Sequence, residues 1–379
     1  MLAKTPPMGW NSWNTFGENI NEKVVLETAD AMVKTGLKDA GYEYVVIDDC
    51  WSKRERDENG RIAADPVKFP HGMKFVADYV HEKGLKFGMY SCAGTKTCAQ
   101  YPGSFDHEYL DAKTFAEFGV DFLKYDFCFK PEHAKGQLLY HRMGMALKAS
   151  GREILFSACN WGCDSVETWI RTAGAQMYRS TGDIADNFKS MSDIAVSQLG
   201  KLAYSGVGCF NDMDMLVCGM HNQGNVAAGG MSDSEYLFHF ALWCVCQSPL
   251  MIGCDVRNMS AATLSTLTNK ELIRINQDEE ARPIYPVSGK PVDSLLIGFK
   301  HLADNEYILA AFNFTDTAIS PWNGYVNLFD IGMPVSGELG LRLRDVMTGE
   351  DVGVVKEYLA LPLQARDFRI YRGTAVEAN

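Results

Sequence analysis

Three consecutive residues in the first half of the chain, Lys124, Tyr125 and Asp126, have the types and spacing of a nucleophile with a supporting cation. They close an apolar run from Gly119 that is typical of a buried β-strand. Because alternate side chains of a strand share a face, Lys124 and Asp126 are predicted to point the same way. A cation there favours the ionised aspartate, which could attack an electrophilic carbon. An ordinary ion pair at a strand end is the alternative interpretation.

Other polar and aromatic side chains follow further strand-like segments. They are Trp13, Asp48, Asp49, Tyr90, Asn160, Trp161, Arg179, Asp183, Asp212, Asp214 and Met215. Carboxylates accept hydrogen bonds from sugar hydroxyls, and an indole face can stack on the C–H face of a sugar ring. The pair Asp48-Asp49 could instead bind a divalent cation or cap a helix. Asp212 and Asp214 could also belong to a metal site, but neither motif contains a histidine.

The elements that must position these residues are predicted from hydrophobic patterning. Eight strand-like segments alternate with helix-like segments, at residues 9–13, 44–48, 85–90, 121–126, 154–158, 176–179, 206–210 and 249–253. This alternation predicts an α/β fold, a (β/α)8 barrel with its active site at the carboxyl ends of the strands. Short alternating runs after residue 284 predict a C-terminal antiparallel β-sandwich. We therefore predict a catalytic barrel over residues 1–283 and a second domain over 284–379.

Composition narrows the classes of partner. The chain has 379 residues and a net charge of −12 at pH 7, which argues against nucleic acid or an anionic membrane as a partner. No run of apolar residues is long enough to span a membrane, and the first residues lack the apolar core of a signal peptide. The chain is therefore predicted to be cytoplasmic, or secreted if a leader has been removed. Its 11 cysteines are scattered, and Cys244 and Cys246 are predicted core residues.

Six motifs, taken together and in order, resemble those of glycoside hydrolase family 27, which contains α-galactosidases and α-N-acetylgalactosaminidases. They are Met8–Trp13, Ile47–Trp51, Cys98 with Pro102–Ser104, Lys124–Asp126, Arg179–Asp183 and Asn211–Leu216. The segment Ile275–Asp278 lies at the end of the predicted barrel. The resemblance runs from residue 5 to about residue 285. The C-terminal region suits the β-domain of that family but contributes no motif.

The resemblance implies a mechanism and a set of roles. Asp126 would be the nucleophile and Asp183 the general acid/base of a retaining mechanism, with carboxyl groups roughly 5–5.5 Å apart. The pKa of Asp183 is then expected near the working pH, because the group must both donate and accept a proton. Asp48 and Asp49 would hold the 4- and 6-hydroxyls, and Lys124 the 3- and 4-hydroxyls.

The remaining contacts implied by the resemblance complete a galactose site. Arg179 and Asp183 would reach the 2-hydroxyl, and Trp13 would stack below the ring. The other residues expected at the substrate are Tyr90, Cys98, Asn160, Trp161, Cys163, Asp214 and Met215.

The chain departs from the family pattern after the fifth strand. It has Cys159-Asn160-Trp161-Gly162-Cys163 where α-galactosidases of the family carry Cys-Glu-Trp, in a loop that faces the C2 substituent of the sugar. Because Asn160 and Cys163 are small, incomplete exclusion of a 2-acetamido group is expected. Cys98 and Cys128 match positions that pair as a disulfide in secreted relatives, so a disulfide between them is also expected if the compartment permits it.

The sequence thus predicts a retaining exo-α-galactosidase that needs no cofactor or metal. Its substrate would be an oligosaccharide or glycoconjugate with a terminal α-galactose, and a homo-oligomer is left open. The alternatives are an α-N-acetylgalactosaminidase, a β-L-arabinopyranosidase, a non-catalytic sugar-binding protein and, more distantly, a metal-dependent hydrolase.

Overall fold

The N-terminal part of the chain is a closed parallel barrel in the computed structural model, which describes residues 2–287, 293–335 and 337–378. Its strands are β1 Met8–Asn11, β2 Tyr44–Val46, β3 Lys86–Cys92, β4 Phe122–Asp126, β5 Leu155–Cys159, β6 Met177–Arg179, β7 Phe210–Asp212 and β8 Leu250–Ile252. They pair in the order β7-β6-β5-β4-β3-β2-β1-β8. A parallel bridge between Leu216 and Ile252 links the chain after β7 to β8. The predicted (β/α)8 barrel is confirmed.

Helices connect the strands and cover the barrel. They are α1 Trp13–Phe16, α2 Glu22–Lys34, α3 Gly72–Glu82, α4 Glu108–Phe118, α5 Gly136–Ala149, α6 Phe188–Gln198, α7 Asp233–Val245, α8 Ala261–Leu267 and α9 Lys270–Asn276. Polar side chains satisfy free N–H groups where several of these helices begin. Asn21 caps α2, and Ser232 with Glu235 forms a capping box at α7. Apolar residues then face the barrel, and in α7 nine residues are buried.

The seventh strand lies later in the chain than the sequence predicts. Residues 206–210 were expected to form it, but β7 spans Phe210–Asp212. Gly206 and Cys209 instead pair across a tight turn, in which Gly208 has a φ of 84°. Glycine adopts that left-handed conformation without a steric penalty. Because of this turn the strand begins only at Phe210. Asp212 is therefore the last residue of β7, and Asp214 lies in the loop that follows.

The C-terminal part of the chain is antiparallel. Its strands are β9 Tyr285–Pro286, β10 Leu295–His301, β11 Glu306–Asn313, β12 Tyr325–Asn327, β13 Leu339–Asp345, β14 Asp351–Val355, β15 Tyr358–Ala360 and β16 Phe368–Glu377. Six form one sheet in the order β14-β13-β16-β11-β10-β9, and β12 pairs with β15. Val326 of the smaller sheet and Leu361, which follows β15, share a core with Leu309 and Leu341 of the larger sheet. The predicted antiparallel domain after the barrel is confirmed, whereas the boundary at residue 283 stays a prediction.

Aromatic packing joins the barrel to the C-terminal sheet. Phe238 of α7 makes edge contacts with Phe312 and Phe314, at centroid distances of 5.2 and 5.5 Å. Cys244 of the same helix and Cys246, which caps its C-terminus, are buried, as predicted. In the described ranges, no helix combines the length and the apolar character needed to traverse a bilayer.

Candidate active site

A cavity of about 330 Å³ opens where the barrel strands end. The predicted residues that line it are Trp13, Asp48, Asp49, Tyr90, Cys98, Lys124, Asp126, Trp161, Arg179, Asp183, Asp214 and Met215. They come from segments scattered along the chain, and the barrel brings them together because parallel strands end at the same rim. The volume lies in the range of small-molecule sites, roughly 300–1,000 Å³.

Asp48 and Lys124 form a buried ion pair in the floor of the cavity. Lys124 Nζ donates to Asp48 Oδ2 over 2.7 Å, and Asn11 Nδ2 donates to the same oxygen over 2.8 Å. Burial lowers the pKa of Lys124, but the charge of Asp48 raises it above its ordinary value, so the ammonium stays charged. The backbone N–H of Asp49 donates to Asp48 Oδ1. Since each carboxylate oxygen has two lone pairs, Oδ1 keeps one for a ligand hydroxyl.

Asp49 is held by backbone groups rather than by a cation. The N–H of Cys50 donates to Oδ1 over 2.7 Å, and the N–H of Ala99 donates to Oδ2 over 2.9 Å. Burial raises the pKa of Asp49, and these two N–H groups oppose the rise. The carboxylate is thereby fixed in orientation before any ligand arrives, which reduces the entropy lost on binding.

Asp126 lies at the carboxyl end of β4, and its side chain is buried. Tyr90 Oη donates to Oδ2 over 3.0 Å, and the N–H of Phe127 donates to Oδ1 over 2.9 Å. Burial raises the pKa of Asp126 above its ordinary value, and the charges of Lys124 and Arg179 reduce that rise without cancelling it. Lys124 therefore acts on Asp126 through its field, while its short contact is with Asp48. The direct pair that the sequence suggested is replaced by a shared cation.

Arg179 connects two acidic residues on the opposite side of the cavity. Its Nη1 lies 2.7 Å from Asp214 Oδ1, and its Nη2 donates to Asp183 Oδ1. Its Nε donates to the carbonyl of Thr181 over 2.9 Å. The guanidinium is buried, so its planar donors are fixed in direction. Arg179 thus ties the loop after β6 to the loop after β7.

Asp183 stands at the mouth of the cavity, with 76% of its side chain exposed. Partial burial raises its pKa, but the charges of Arg179 and Lys124 and the hydrogen bond from Arg179 outweigh this, so its pKa is lowered. The expectation of a pKa near the working pH is not met while the Arg179 pair is intact. A ligand hydroxyl that competes for Arg179 would weaken the pair and let the pKa of Asp183 rise.

The loop after β5 presents one side chain to the cavity. Trp161 lines it, whereas Asn160 is fully buried and Cys163 is exposed outside it. Asn160 Nδ2 donates to the carbonyl of Cys163 over 2.8 Å, so the amide closes its own loop. The expectation that Asn160 and Cys163 face the sugar is therefore at odds with the structure. Trp161 has a φ of 60°, and its side chain lines the cavity.

Strained backbone recurs at the rim. Cys50, Trp161 and Asp214 have φ values of 72°, 60° and 81°, in a region that non-glycine residues rarely adopt. Each follows a different barrel strand by only a few residues. Such conformations persist where the surroundings fix them, and they concentrate at functional sites. Here Trp161, Asp214 and Asp49, the residue before Cys50, all line the cavity.

A disulfide borders the cavity floor. Cys98 and Cys128 are bonded, with a Cα–Cα distance of 5.2 Å, and they join the loops after β3 and β4. Within the described part of the chain, these two sulfur atoms and the Asp126 carboxylate form a group compact enough for a metal ion. Because the sulfur atoms are bonded to each other, they are not thiolate ligands. The expectation that no metal is needed stays a prediction.

Asp212 lies below the main cavity rather than in it. It borders a much smaller space inside the barrel, beside Arg179 and Asp214. Burial and the charge of Asp214 raise the pKa of Asp212 to about 7. The N–H of Asp214 donates to Asp212 Oδ1 over 2.9 Å. Asp212 therefore supports the turn that carries Asp214, and its separation from the cavity argues against direct sugar contact.

Part of the cavity wall has no counterpart in the sequence predictions. The additional lining residues are Asn14, Ile184, Ala185, Asn225, Val226 and Ala227. These are small, apolar or neutral residues in connecting segments, with no local pattern that marks chemistry. Only Ile184 and Ala185 could have been predicted to line the cavity, because they directly follow Asp183, which was itself predicted to lie at the rim.

The chain matches known proteins along most of its length. Residues 5–278 match the family described as Melibiase_2, Alpha galactosidase A. Alpha-galactosidase 2 of Arabidopsis thaliana is 41% identical over 384 residues, covering 100% of this chain and 91% of the relative. Alpha-galactosidase I from Mortierella vinacea has a crystal structure similar to this one, with a TM-score of 0.89, 34% identity and coverage of 100% of this chain and 99% of that chain. The α-galactosidase from Saccharomyces cerevisiae with raffinose has a TM-score of 0.91, 28% identity and coverage of 99% and 98%.

Proposed function

The chain belongs to the alpha galactosidase A family, and we propose that it is a retaining exo-α-galactosidase that releases terminal α-linked galactose from oligosaccharides or glycoconjugates. The observation that carries this proposal is the pairing of a buried carboxylate, Asp126, with an exposed one, Asp183, in a single cavity. Double displacement needs two carboxyl groups with different tasks, and different environments favour different tasks.

In the first step Asp126 attacks the anomeric carbon of galactose. A bond forms between a carboxylate oxygen and C1 while the bond from C1 to the glycosidic oxygen breaks. Asp183 gives its proton to that oxygen, so the leaving group departs as a neutral alcohol. Tyr90 and the N–H of Phe127 hold Asp126 in a fixed orientation for this attack.

In the second step water completes the hydrolysis. Asp183, now ionised, accepts a proton from a water molecule, and the hydroxide oxygen bonds to C1. The ester bond breaks and Asp126 is restored as a carboxylate, so two inversions give net retention. Arg179 stabilises the ionised Asp183 in this step through the ion pair at the mouth.

The charged floor supports the proposed recognition of galactose. Asp48 and Asp49 are pre-oriented acceptors, and Lys124 is a charged donor beside them. An axial 4-hydroxyl could approach this group, whereas an equatorial one would point elsewhere. Trp13 borders the same floor and offers an aromatic face for the sugar ring. A site of buried polar groups discriminates strongly against sugars that leave them unpaired.

Rates on three substrates test the proposal directly. We expect nitrophenyl α-galactoside to be hydrolysed with a higher kcat/KM than nitrophenyl α-N-acetylgalactosaminide or nitrophenyl β-L-arabinopyranoside. A higher rate on either alternative would reassign the sugar within the same fold. No turnover of any of them, with measurable galactose binding, would instead support the sugar-binding interpretation.

A chelator test addresses the metal-dependent alternative. Asp48 and Asp49 are engaged by Lys124 and by backbone N–H groups, which supports their assignment as hydroxyl acceptors. Dialysis against a chelator is expected to leave kcat/KM unchanged. A loss that one added cation restores would contradict this assignment.

A further inference from the structure

The mouth of the cavity has an uncharged and mostly aliphatic side next to Asp183. Five residues, Ile184, Ala185, Asn225, Val226 and Ala227, line it there, and we call them the rim strip. The strip contains no charged side chain, in contrast to the acidic and basic floor. Asn225 and Ala227 are exposed, and Val226 is half-buried. The cavity thus changes from a buried charged floor to an accessible apolar edge.

Asp186 joins the two segments of the rim strip. Its N–H donates to the carbonyl of Val226 over 2.8 Å, and Gly230 N donates to its carbonyl over 2.8 Å. Its buried carboxylate accepts hydrogen bonds from Tyr236 Oη at 2.9 Å and from Asn222 N at 2.7 Å. The loop after β7 is therefore fixed to the segment 183–186, which begins with Asp183, the proposed acid/base.

A second attachment holds the other end of the strip. Asn225 Nδ2 donates to the carbonyl of Trp13 over 2.8 Å. Gly17, at a φ of 48°, gives the amide room, because a Cβ there would lie 2.2 Å from Asn225 Nδ2. The part of the strip that follows β7 is consequently bound both to the loop after β6 and to helix α1, although Asn225 and Ala227 are exposed.

The position of the strip assigns it to one part of a bound substrate. If Asp183 protonates the glycosidic oxygen, the group beyond that oxygen must lie beside Asp183 at the mouth. We infer that the rim strip is the leaving-group subsite and that it selects leaving groups with an accessible apolar face, such as a pyranose C–H face or an aryl ring. This inference rests on the proposed function.

The chemistry of the strip explains that preference. Aliphatic side chains gain free energy from covering apolar surface, and they form no ion pair or strong hydrogen bond with a leaving group. Sugar hydroxyls can stay hydrated at this open edge, while a C–H face packs on Val226 and Ala227. A charged leaving group gains no stabilising contact from the strip. If its charge is negative, the nearby carboxylate of Asp183 would also repel it.

Two neighbouring alanines allow a matched test. Ala227 lines the cavity, whereas Ala228 is exposed and does not line it. We would measure kcat/KM of Ala227→Trp and Ala228→Trp on α-1,6-galactosyl-glucose and on α-galactosyl fluoride, whose leaving group is a single atom. In Ala227→Trp the disaccharide is expected to lose at least about tenfold more than the fluoride, because the indole occupies the leaving-group space. Ala228→Trp is expected to keep the wild-type ratio.

A more conservative variant distinguishes a lost contact with the leaving group from a general loss of activity. Val226→Thr keeps the side-chain volume and replaces a methyl group with a hydroxyl, so it is expected to lower the disaccharide-to-fluoride ratio by about two- to fivefold. Equal losses on both substrates in Ala227→Trp and Val226→Thr, or the same ratio in both tryptophan variants, would overturn the subsite. A wild-type protein that hydrolyses neither substrate would instead refute the proposed function.

Discussion

Lys124 donates its short hydrogen bond to Asp48, 2.7 Å away in the segment that follows β2, and not to Asp126, two residues later on its own strand. One cation therefore serves two carboxylates with different tasks. It balances the charge of a proposed hydroxyl acceptor directly, and through space it opposes the rise that burial causes in the pKa of the proposed nucleophile. Replacing Lys124 should therefore affect sugar binding and also the pKa values of the nearby carboxyl groups.

Lys124→Met is expected to lower kcat/KM by at least about thirtyfold, because removing one partner of a buried charge pair costs about 2–5 kcal/mol. Burial raises the pKa of Asp126 and Lys124 lowers it, so this pKa should rise in the variant. Lys124 also lowers the pKa of Asp183, so both limbs of the pH profile should move to higher pH. The profile of kcat/KM checks this, with the exposed Lys148→Met as the control. An unshifted profile would show that Lys124 does not act on these carboxylates.

Asp183→Ala is expected to lose activity unevenly. A nitrophenyl leaving group needs little protonation, so its first step should survive better than that of α-1,6-galactosyl-glucose. Removal of the general base then makes the second step limiting, and azide can replace water without base assistance. Added azide should restore turnover of the nitrophenyl substrate and yield galactosyl azide, detectable by mass spectrometry. Equal losses on both substrates without azide rescue would argue against acid/base chemistry at Asp183.

Trp161→Ala is expected to raise activity on nitrophenyl α-N-acetylgalactosaminide relative to the galactoside. Trp161 is the one side chain of the loop after β5 that lines the cavity, so its removal creates space where the resemblance places the C2 substituent. The ratio of the two kcat/KM values measures the effect. Cys163→Ala is the matched control, because Cys163 lies outside the cavity. A ratio that changes only in Cys163→Ala would restore the sequence-based assignment.

Stability in acid should depend on His239. Burial lowers its pKa to about 3, and its Nε2 accepts from Val217 N over 3.2 Å. Because the folded pKa lies below the unfolded one, the contribution is present above about pH 6.5 and is lost as the pH falls toward 3. The slope is up to about 1.4 kcal/mol per pH unit.

His239→Gln keeps an acceptor for Val217 and has no charge to acquire. Its free energy of unfolding, measured in urea between pH 7 and pH 4, is therefore expected to fall less steeply than that of the wild type. His133→Gln, at an exposed position, is the control and should keep the wild-type slope. Parallel slopes for wild type and His239→Gln would contradict the buried neutral imidazole.

The sequence predicts the barrel and most of the residues at its rim because that information is local. Apolar strand segments end in polar residues, and a barrel brings strand ends to one face. Asp48, Asp126 and Arg179 were predictable in this way. The seventh strand was placed too early because a glycine turn interrupts an apolar run, and the run alone does not reveal the turn.

The ion-pair partner of a side chain and the position of a loop were harder to predict, because both depend on contacts between segments that are distant in the sequence. The pairing of Lys124 with Asp48 joins residues 76 positions apart. The rim strip is held by Asp186, Tyr236 and Trp13, and nothing in its own composition indicates its position. Two hydrogen bonds between Asn160 and Cys163 close their loop on itself, so these two residues, which were expected at the sugar, do not line the cavity and Trp161 does.

The most direct test of the account is to trap the covalent intermediate. A fluorinated α-galactosyl donor with a good leaving group should react to form an ester but hydrolyse slowly, because fluorine destabilises both transition states. After digestion, mass spectrometry is expected to find one fluorogalactosyl group on the peptide that contains Asp126, and Asp126→Asn should acquire none while remaining folded. An adduct on another carboxylate, or an active enzyme whose Asp126→Asn variant still turns over at the wild-type rate, would contradict Asp126 as the nucleophile.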